Sequence, residues 1–267
     1  MERIVAVTGG ARGIGRATAR ALAAAGARVA IGDVDGELAA TVAGELGGEF
    51  GGSGHPLDVR DRDSFGRFLA AVGPIDVLVN NAGVAPSGRF VDSDPALIDL
   101  IMDVNLRGVV NGMRLALPGM IARGRGLVVN IASLAGRVPL PGAATYGATK
   151  HAILGLTSAV RTELAGSGVT ASAVLPTFAR TELISGLDVK LPTVDAEDVA
   201  AAVVRLVNRR RPPAAVTVPR WMTAVGVGYA LIPPRLRDRL AERAMRAEQT
   251  VDQAAREGYE RRVANLL

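Results

Sequence analysis

The chain opens on a short branched apolar run, Ile4-Val5-Ala6-Val7-Thr8. It meets the glycine cluster Gly9-Gly10-Ala11-Arg12-Gly13-Ile14-Gly15 and passes straight into an Ala-rich amphipathic stretch. Strand, glycine turn and helix are the local structures that such a succession dictates. The alternation repeats downstream and predicts strands over Ile4–Thr8, Arg28–Asp33, Gly54–Leu57, Val77–Asn80, Leu127–Ile131, Thr170–Leu175 and Ala215–Val218. Helices are expected over Gly13–Gly26, Gly36–Leu46, Arg60–Val72, Ala96–Ala122, Thr145–Gly166 and Asp195–Asn208. A strand followed by a crossover helix closes right-handed onto a parallel sheet, so the expected fold is α/β, a doubly wound seven-stranded parallel sheet.

Composition narrows the chemistry. Of 267 residues 49% are hydrophobic but only 3% aromatic, which suits buried parallel strands under small-residue helices. The absence of Cys excludes disulfides, thiolate metal sites and a cysteine nucleophile, and with only His55 and His151 for imidazole chemistry no metal site is expected. The net charge of +5 comes mostly from Arg interspersed with acids, which argues against a nucleic-acid partner. The N-terminus is too short and too glycine-punctuated for a signal peptide, and Trp221–Ile232 falls short of the roughly 18 to 20 apolar residues a spanning helix needs. A cytoplasmic protein is expected.

The glycine cluster follows a strand and opens a helix, the context of a Rossmann-like dinucleotide fingerprint. Gly9, Gly13 and Gly15 permit a tight turn, close approach of backbone to a pyrophosphate and close packing of helix on strand, with the helix N-terminus facing the phosphates. Asp33 ends the second strand about twenty residues later, where a carboxylate accepts hydrogen bonds from an adenosine ribose and repels a 2′-phosphate. NAD is therefore favoured over NADP. Arg12 is the dissenting residue, since a guanidinium beside the loop is able to pair with a 2′-phosphate.

Tyr146 and Lys150 share one helix face at four-residue spacing, and a nearby ammonium favours the phenolate of a general acid/base. Ser133 and Asn80-Asn81-Ala82-Gly83 each follow a strand, at the sheet edge where ligands bind. With these pieces in order, residues 3–218 resemble the short-chain dehydrogenase/reductase family. The matching segments are Thr8–Gly15, Asp58-Val59, Asn80–Gly83, Asn105 within Asp103–Leu106, Ser133, Tyr146 and Lys150. The resemblance implies that Tyr146 moves the proton, Ser133 hydrogen-bonds the substrate oxygen, and Lys150 binds the nicotinamide ribose and lowers the Tyr146 pKa. Asn105 would hold a water linking Lys150 to solvent, and Asp58, with Val59 beside it, would meet the adenine. Asn81, Ala82 and Gly83 would pack along the cofactor, joined by Gly9, Arg12, Gly13, Ile14, Gly15 and Asp33. The implied reaction is NAD-dependent interconversion of a small apolar secondary alcohol and its ketone, in a homo-dimer or homo-tetramer assembled through the helices around Asn105 and Tyr146.

One segment departs from the family pattern. Where the family reads Pro-Gly-x-Val/Ile-x-Thr, this chain reads Pro176-Thr177-Phe178-Ala179-Arg180-Thr181, keeping Pro176 and Thr181 as cofactor contacts but adding bulk at Thr177. The following Glu182–Val194 is short for a lid and suggests an open or shallow pocket walled by Leu134, Val138, Leu140, Phe178 and Leu183. Residues 219–267 form an expected helical extension of the single domain. Trp221–Ile232 reads as a cover over the site or a subunit contact, as an interfacial membrane helix flanked by Arg220 and Arg235, or as a packing helix. Beyond Pro233-Pro234 a long helix is expected from Leu236, Leu240, Ala244, Ala247, Val251, Ala254 and Val263, docked on its own or a neighbouring subunit. The competing functions are an NADPH-dependent ketoreductase, a nucleotide-binding scaffold or sensor of low turnover, and a membrane-peripheral dehydrogenase for lipophilic alcohols.

Overall fold

Val5, Ala6 and Val7 are all fully buried, so the first strand is covered on both faces, as a parallel sheet between helices requires. A computed structural model of the chain describes residues 3–46, 51–186, 192–233, 235–237 and 252–267. Its strands are β1 (Arg3–Thr8), β2 (Ala27–Asp33), β3 (Gly52–Pro56), β4 (Val77–Asn80), β5 (Gly126–Ile131), β6 (Val169–Pro176), β7 (Phe178–Ala179), β8 (Thr193–Val194) and β9 (Ala215–Val218). Seven of them form one parallel sheet in the order β3-β2-β1-β4-β5-β6-β9. The chain winds outward in one direction from β1 and in the other from β4, which leaves a crevice at their C-terminal ends.

Alternate strand residues feed two cores. Val5, Val7, Val29, Ile31, Val77 and Val79 pack beneath α1 (Gly13–Ala24), α2 (Gly36–Gly44) and α7 (Ala196–Val207). Ala6, Ala30, Leu78 and Val128 face the other way, against Phe65 and Phe68 of α3 (Arg62–Val72), Met113 of α5 (Gly108–Ala122) and Ile153 of α6 (Ala144–Glu163). Burying one such Val or Phe contributes about 1.5–3 kcal/mol, so the two layers carry the fold. A polar thread crosses the second layer: Asn80 Nδ2 donates to Asn130 Oδ1 at 2.9 Å, and Asn130 Nδ2 donates to Thr157 Oγ1 at 2.9 Å. It joins β4, β5 and α6 at a fixed register, with Asn80 opposite Asn130.

Two expectations shift. The single helix predicted over Ala96–Ala122 is instead α4 (Pro95–Met102), a π-turn at Asp103–Arg107, and α5. The wider turn carries Asn105 inward to full burial. The helix predicted from Arg60 begins at Arg62, because the Asp61 side chain caps it by accepting from the Asp63 amide at 2.8 Å, while Arg60 turns back to Asp58.

The extension holds α8 (Met222–Leu231) and α9 (Gln253–Ala264). Met222 and Gly226 are buried, whereas Trp221, Val227 and Leu231 remain exposed at 58%, 51% and 79%. Leu240, Ala244, Ala247 and Val251 of the predicted long helix lie outside the described residues. α9 docks on its own chain, with Tyr259 and Val263 buried in the second core. Among the described residues no helix is long and apolar enough to cross a membrane.

Candidate active site

The C-terminal ends of β1, β2, β4, β5 and β6 open into a cavity of about 780 Å³. Gly9, Arg12, Gly13, Ile14, Asp33, Asp58, Val59, Asn81, Ala82 and Gly83 line the half at the glycine turn, and Ser133, Tyr146, Lys150, Pro176 and Thr181 line the other. Gly15 and Asn105 stand behind the wall rather than in it. Leu134, Val138, Leu140, Phe178 and Leu183 line it as apolar positions.

The glycine turn is built by backbone geometry. Gly9 and Gly13 have φ of 61° and 48°, in the left-handed region that disfavours a side chain. A Cβ on Gly9 would meet Ala82 Cα at 2.7 Å, and one on Gly15 would overlap the Gly9 carbonyl and lie 2.5 Å from Asn81 Nδ2. That amide explains the closeness, since Asn81 Nδ2 donates to the carbonyls of both Thr8 and Gly9 at 2.9 Å. Thr8 Oγ1 answers by accepting from the Asn81 and Ala82 amides at 3.0 and 3.1 Å. The β1 and β4 loops are thus sewn together, and α1 begins without a side-chain cap, with Gly13 and Ile14 of its first turn lining the cavity.

Asp33 Oδ2 accepts from the Ala11 amide at 3.1 Å and Oδ1 from the Asp35 amide at 3.2 Å. Burial raises its pKa above the usual carboxylate value, with those two amides pulling the other way. Arg12 pairs with Asp35 at 2.8 Å, so its guanidinium already has an acidic partner. Arg60 grips Asp58 through Nε at 3.0 Å to both oxygens and through Nη2 at 2.8 Å. Burial pushes the Asp58 carboxyl up, but the hydrogen bonds from the Arg60 side chain and backbone outweigh it and leave the pKa lowered.

In the half lined by Tyr146, Lys150 Nζ donates to the Ile131 carbonyl at 2.9 Å and lies 5.4 Å from the Tyr146 ring centre. In this geometry burial, rather than Lys150, dominates the Tyr146 phenol. Burial pushes Tyr146 up to about 12, against a hydrogen bond with Ser133 that lowers it, while a nearby Tyr259 raises it further. Burial also brings Lys150 down to about 8. In both, the charged form loses water without gaining an opposite charge.

Asn105 holds the β4 loop in place. Its Oδ1 accepts from the Val84 amide at 2.8 Å, and its Nδ2 donates to the Val84 carbonyl at 2.9 Å and to Thr149 Oγ1 at 3.4 Å. His55 contacts Ser53 Oγ at 3.0 Å and the edge of Phe68, and His151 contacts the Gly147 carbonyl at 2.9 Å, so both serve local structure. Among the described residues no cluster of His, Asp and Glu is arranged to hold a metal.

The pocket is not shallow, because α9 and the residues after it add a wall to the one that Glu182, Leu183 and Ile184 supply. Tyr259, Arg262, Val263, Asn265 and Leu266 line the cavity. Tyr259 Oη accepts from the Ala85 amide at 2.7 Å, Arg60 Nη1 donates to the Leu266 carbonyl at 2.8 Å, and Arg262 pairs with Glu182. Sequence reasoning missed Arg60 and Tyr259. The signal for Tyr259 was its position four residues before Val263, one helical turn away on the same face.

The donor set fits a dinucleotide. The cradle closes if Gly9 gains a Cβ, the start of α1 leaves amides without side-chain partners, and Asp33 faces the cavity. At the other end Thr177 lines the cavity with its Oγ1 buried and without a partner among the described residues, and its amide donates to the Val218 carbonyl at 2.9 Å. A hydroxyl, rather than a bare glycine, meets whatever binds there.

Residues 3–190 match the short chain dehydrogenase family profile. The ketoacyl reductase HetN of Nostoc sp. is 35% identical over 187 residues, covering 64% of this chain and 65% of that protein. The chain spans less than two thirds of the length of the first curated relatives it matches. Among solved structures, a metagenomic short-chain oxidoreductase in complex with NADP superposes with a TM-score of 0.70 at 34% identity, over 80% of this chain and 96% of that one. A short-chain dehydrogenase/reductase from Burkholderia phymatum in complex with NAD gives a TM-score of 0.76 at 26% identity, over 84% and 92%.

Proposed function

The chain belongs to the short-chain dehydrogenase/reductase family of oxidoreductases, and from that premise we propose that it interconverts a small apolar secondary alcohol and its ketone with NAD. The observation that carries this reading is that Ser133, Tyr146 and Lys150 line the same cavity as Gly9, Gly13 and Asp33. When bound, the nicotinamide supplies or accepts the hydride.

The chain's own residues do the rest. Tyr146 gives its phenolic proton to the ketone oxygen during reduction and takes it back during oxidation, and Ser133 donates to the same oxygen. Lys150, held at the Ile131 carbonyl, presents its ammonium to the ribose and to the phenolate that forms. Asn105 fixes the Val84 backbone and so the level of the β4 loop under the cofactor. The apolar walls at Leu134, Val138, Leu140 and Phe178 exclude water and favour an apolar substrate.

The NAD preference rests on Asp33 and on the engagement of Arg12 by Asp35, which leaves a 2′-phosphate facing carboxylates. The relative bound to NADP keeps the phosphorylated cofactor as the second reading. The protein would act in the cytoplasm as a homodimer or homotetramer. Peripheral membrane contact through residues 221–232, suggested by exposed Trp221, Val227 and Leu231, is tested by liposome co-sedimentation of the full chain.

A panel of secondary alcohols, including steroids and long-chain carbinols, is assayed with NAD and with NADP beside fluorescence titrations of both reduced cofactors. NAD-linked oxidation and tighter NADH binding are expected. Tighter NADPH binding overturns the cofactor reading, and NAD(P) binding without hydride transfer to any substrate favours the scaffold.

A further inference from the structure

Tyr259 shares the cavity with Tyr146 but has no part in the reaction as described. It comes from α9, beyond the residues that match the family profile. Its hydroxyl oxygen accepts the Ala85 amide at 2.7 Å, which uses one side of the group. A phenol also carries one proton to donate. Among the described residues that proton has no acceptor.

The side chain is firmly aimed. Arg256, one helical turn earlier, is 1% exposed and donates to the Ser185 carbonyl at 3.1 Å, the Ala85 carbonyl at 3.1 Å and the Leu183 carbonyl at 3.4 Å. Its guanidinium also lies 5.1 Å from the Tyr259 ring centre. Ser185 Oγ donates to the Ala255 carbonyl at 2.7 Å, and the Asp252 amide donates to the Gly186 carbonyl at 2.7 Å. The α9 helix is therefore tied at once to the loop after β4 and to the loop after β7, the two segments that bracket the substrate end.

We propose that Tyr259 is a substrate-binding residue whose hydroxyl donates to a second oxygen of the substrate, a few atoms from the reacting carbon. The substrate class is then a ketone or carbinol with a neighbouring carbonyl, such as a 3-oxo or 3-hydroxy ester. Burial raises the Tyr259 pKa above its usual value, which keeps the group a donor at working pH. A bound monoketone leaves that buried donor unpaired, and a site built to hydrogen-bond a group discriminates against the analogue lacking it. This inference rests on the proposed oxidoreductase reading and adds the substrate class to it.

The test compares ethyl 3-oxobutanoate with 2-hexanone, reduced by the wild-type chain and by Tyr259→Phe with NADH and with NADPH. Wild type is expected to prefer the oxo ester in kcat/KM by about tenfold or more. The variant should lose most of that preference through a KM for the oxo ester that rises several-fold more than the KM for 2-hexanone. Equal losses on both ketones, an unaltered preference, or no preference in wild type overturns the proposal. Failure of the underlying reading has a different signature, namely wild-type turnover in Tyr146→Phe. A Tyr259→His variant, which keeps a donor on a smaller ring, is expected to recover part of the preference.

Discussion

Lys150 Nζ stands 5.4 Å from the Tyr146 ring centre and is itself anchored on the Ile131 carbonyl at 2.9 Å. Lysine and phenol occupy neighbouring turns of α6, so their separation follows from helical spacing. The anchor follows from β5, whose last residue offers its carbonyl beneath the lysine. Neither group meets a counter-charge, and burial therefore drives both toward their neutral forms.

On the proposed mechanism, replacing Tyr146 with Phe removes the group that exchanges a proton with the substrate oxygen. Turnover should fall by about 10²–10⁴-fold, the usual contribution of a positioned general acid or base, while NADH affinity measured by fluorescence is unchanged. Wild-type turnover in this variant rules out the assigned role.

The pH profile of ketone reduction follows from two signs. Reduction needs Tyr146 protonated and Lys150 charged. The phenol, raised to about 12, keeps its proton across the accessible range, whereas the lysine, lowered to about 8, loses its charge as pH rises through that value. Reductive kcat/KM, which reports the free enzyme, should be flat below pH 8 and decline above it. A profile that stays level well above that pH is incompatible with a titrating Lys150.

Asp33 lines the cavity and, in the proposed reading, meets the adenosine ribose, while Arg12 is already paired with Asp35. Asp33→Ser should shift the ratio of NADPH to NADH affinity toward NADPH by about tenfold, equivalent to about 1.4 kcal/mol. An unchanged ratio in paired titrations would show that the carboxylate does not discriminate.

Gly15 does not line the cavity, and its requirement is one of packing. A methyl group there would overlap the Gly9 carbonyl and lie 2.5 Å from Asn81 Nδ2. Gly15→Ala should destabilise the protein by about 1–3 kcal/mol through overpacking, seen as a lower melting temperature, with weaker nucleotide binding because the turn itself moves. A melting temperature equal to wild type contradicts this close approach.

Arg256 supplies the hydrogen bonds to Ala85, Leu183 and Ser185 from a fully buried position. Arg256→Met keeps the apolar stem but strands those carbonyls, at a cost of about 1–3 kcal/mol. Hydrogen exchange should accelerate over residues 253–264 before it changes in the central strands. Undiminished protection of α9 would mean that its apolar contacts alone suffice.

The sheet, its helices and the glycine turn were legible because each depends on neighbours in sequence: apolar runs for buried strands, a 3.6-residue period for helices, and glycine where the backbone turns. Asp33, Asn81 and Ser133 were placed by the strand ends they occupy or follow, and Tyr146 and Lys150 by their four-residue spacing on α6, and the structure brings them to one cavity. Tertiary structure decided what depends on residues far apart in the chain. The π-turn at Asp103–Arg107 arises where Asn105 reaches the Val84 backbone, a demand that no local period expresses. The phenol and lysine shift toward neutrality because of burial, which depends on what packs around them. Arg60 was unremarkable until its bond to Asp58 and to the far end of the chain appeared, and Tyr259 became part of the cavity only when α9 folded back onto Ala85. Local sequence carries periodicity and turn chemistry, whereas the depth of the pocket is set by long-range closure of the tail over the sheet edge.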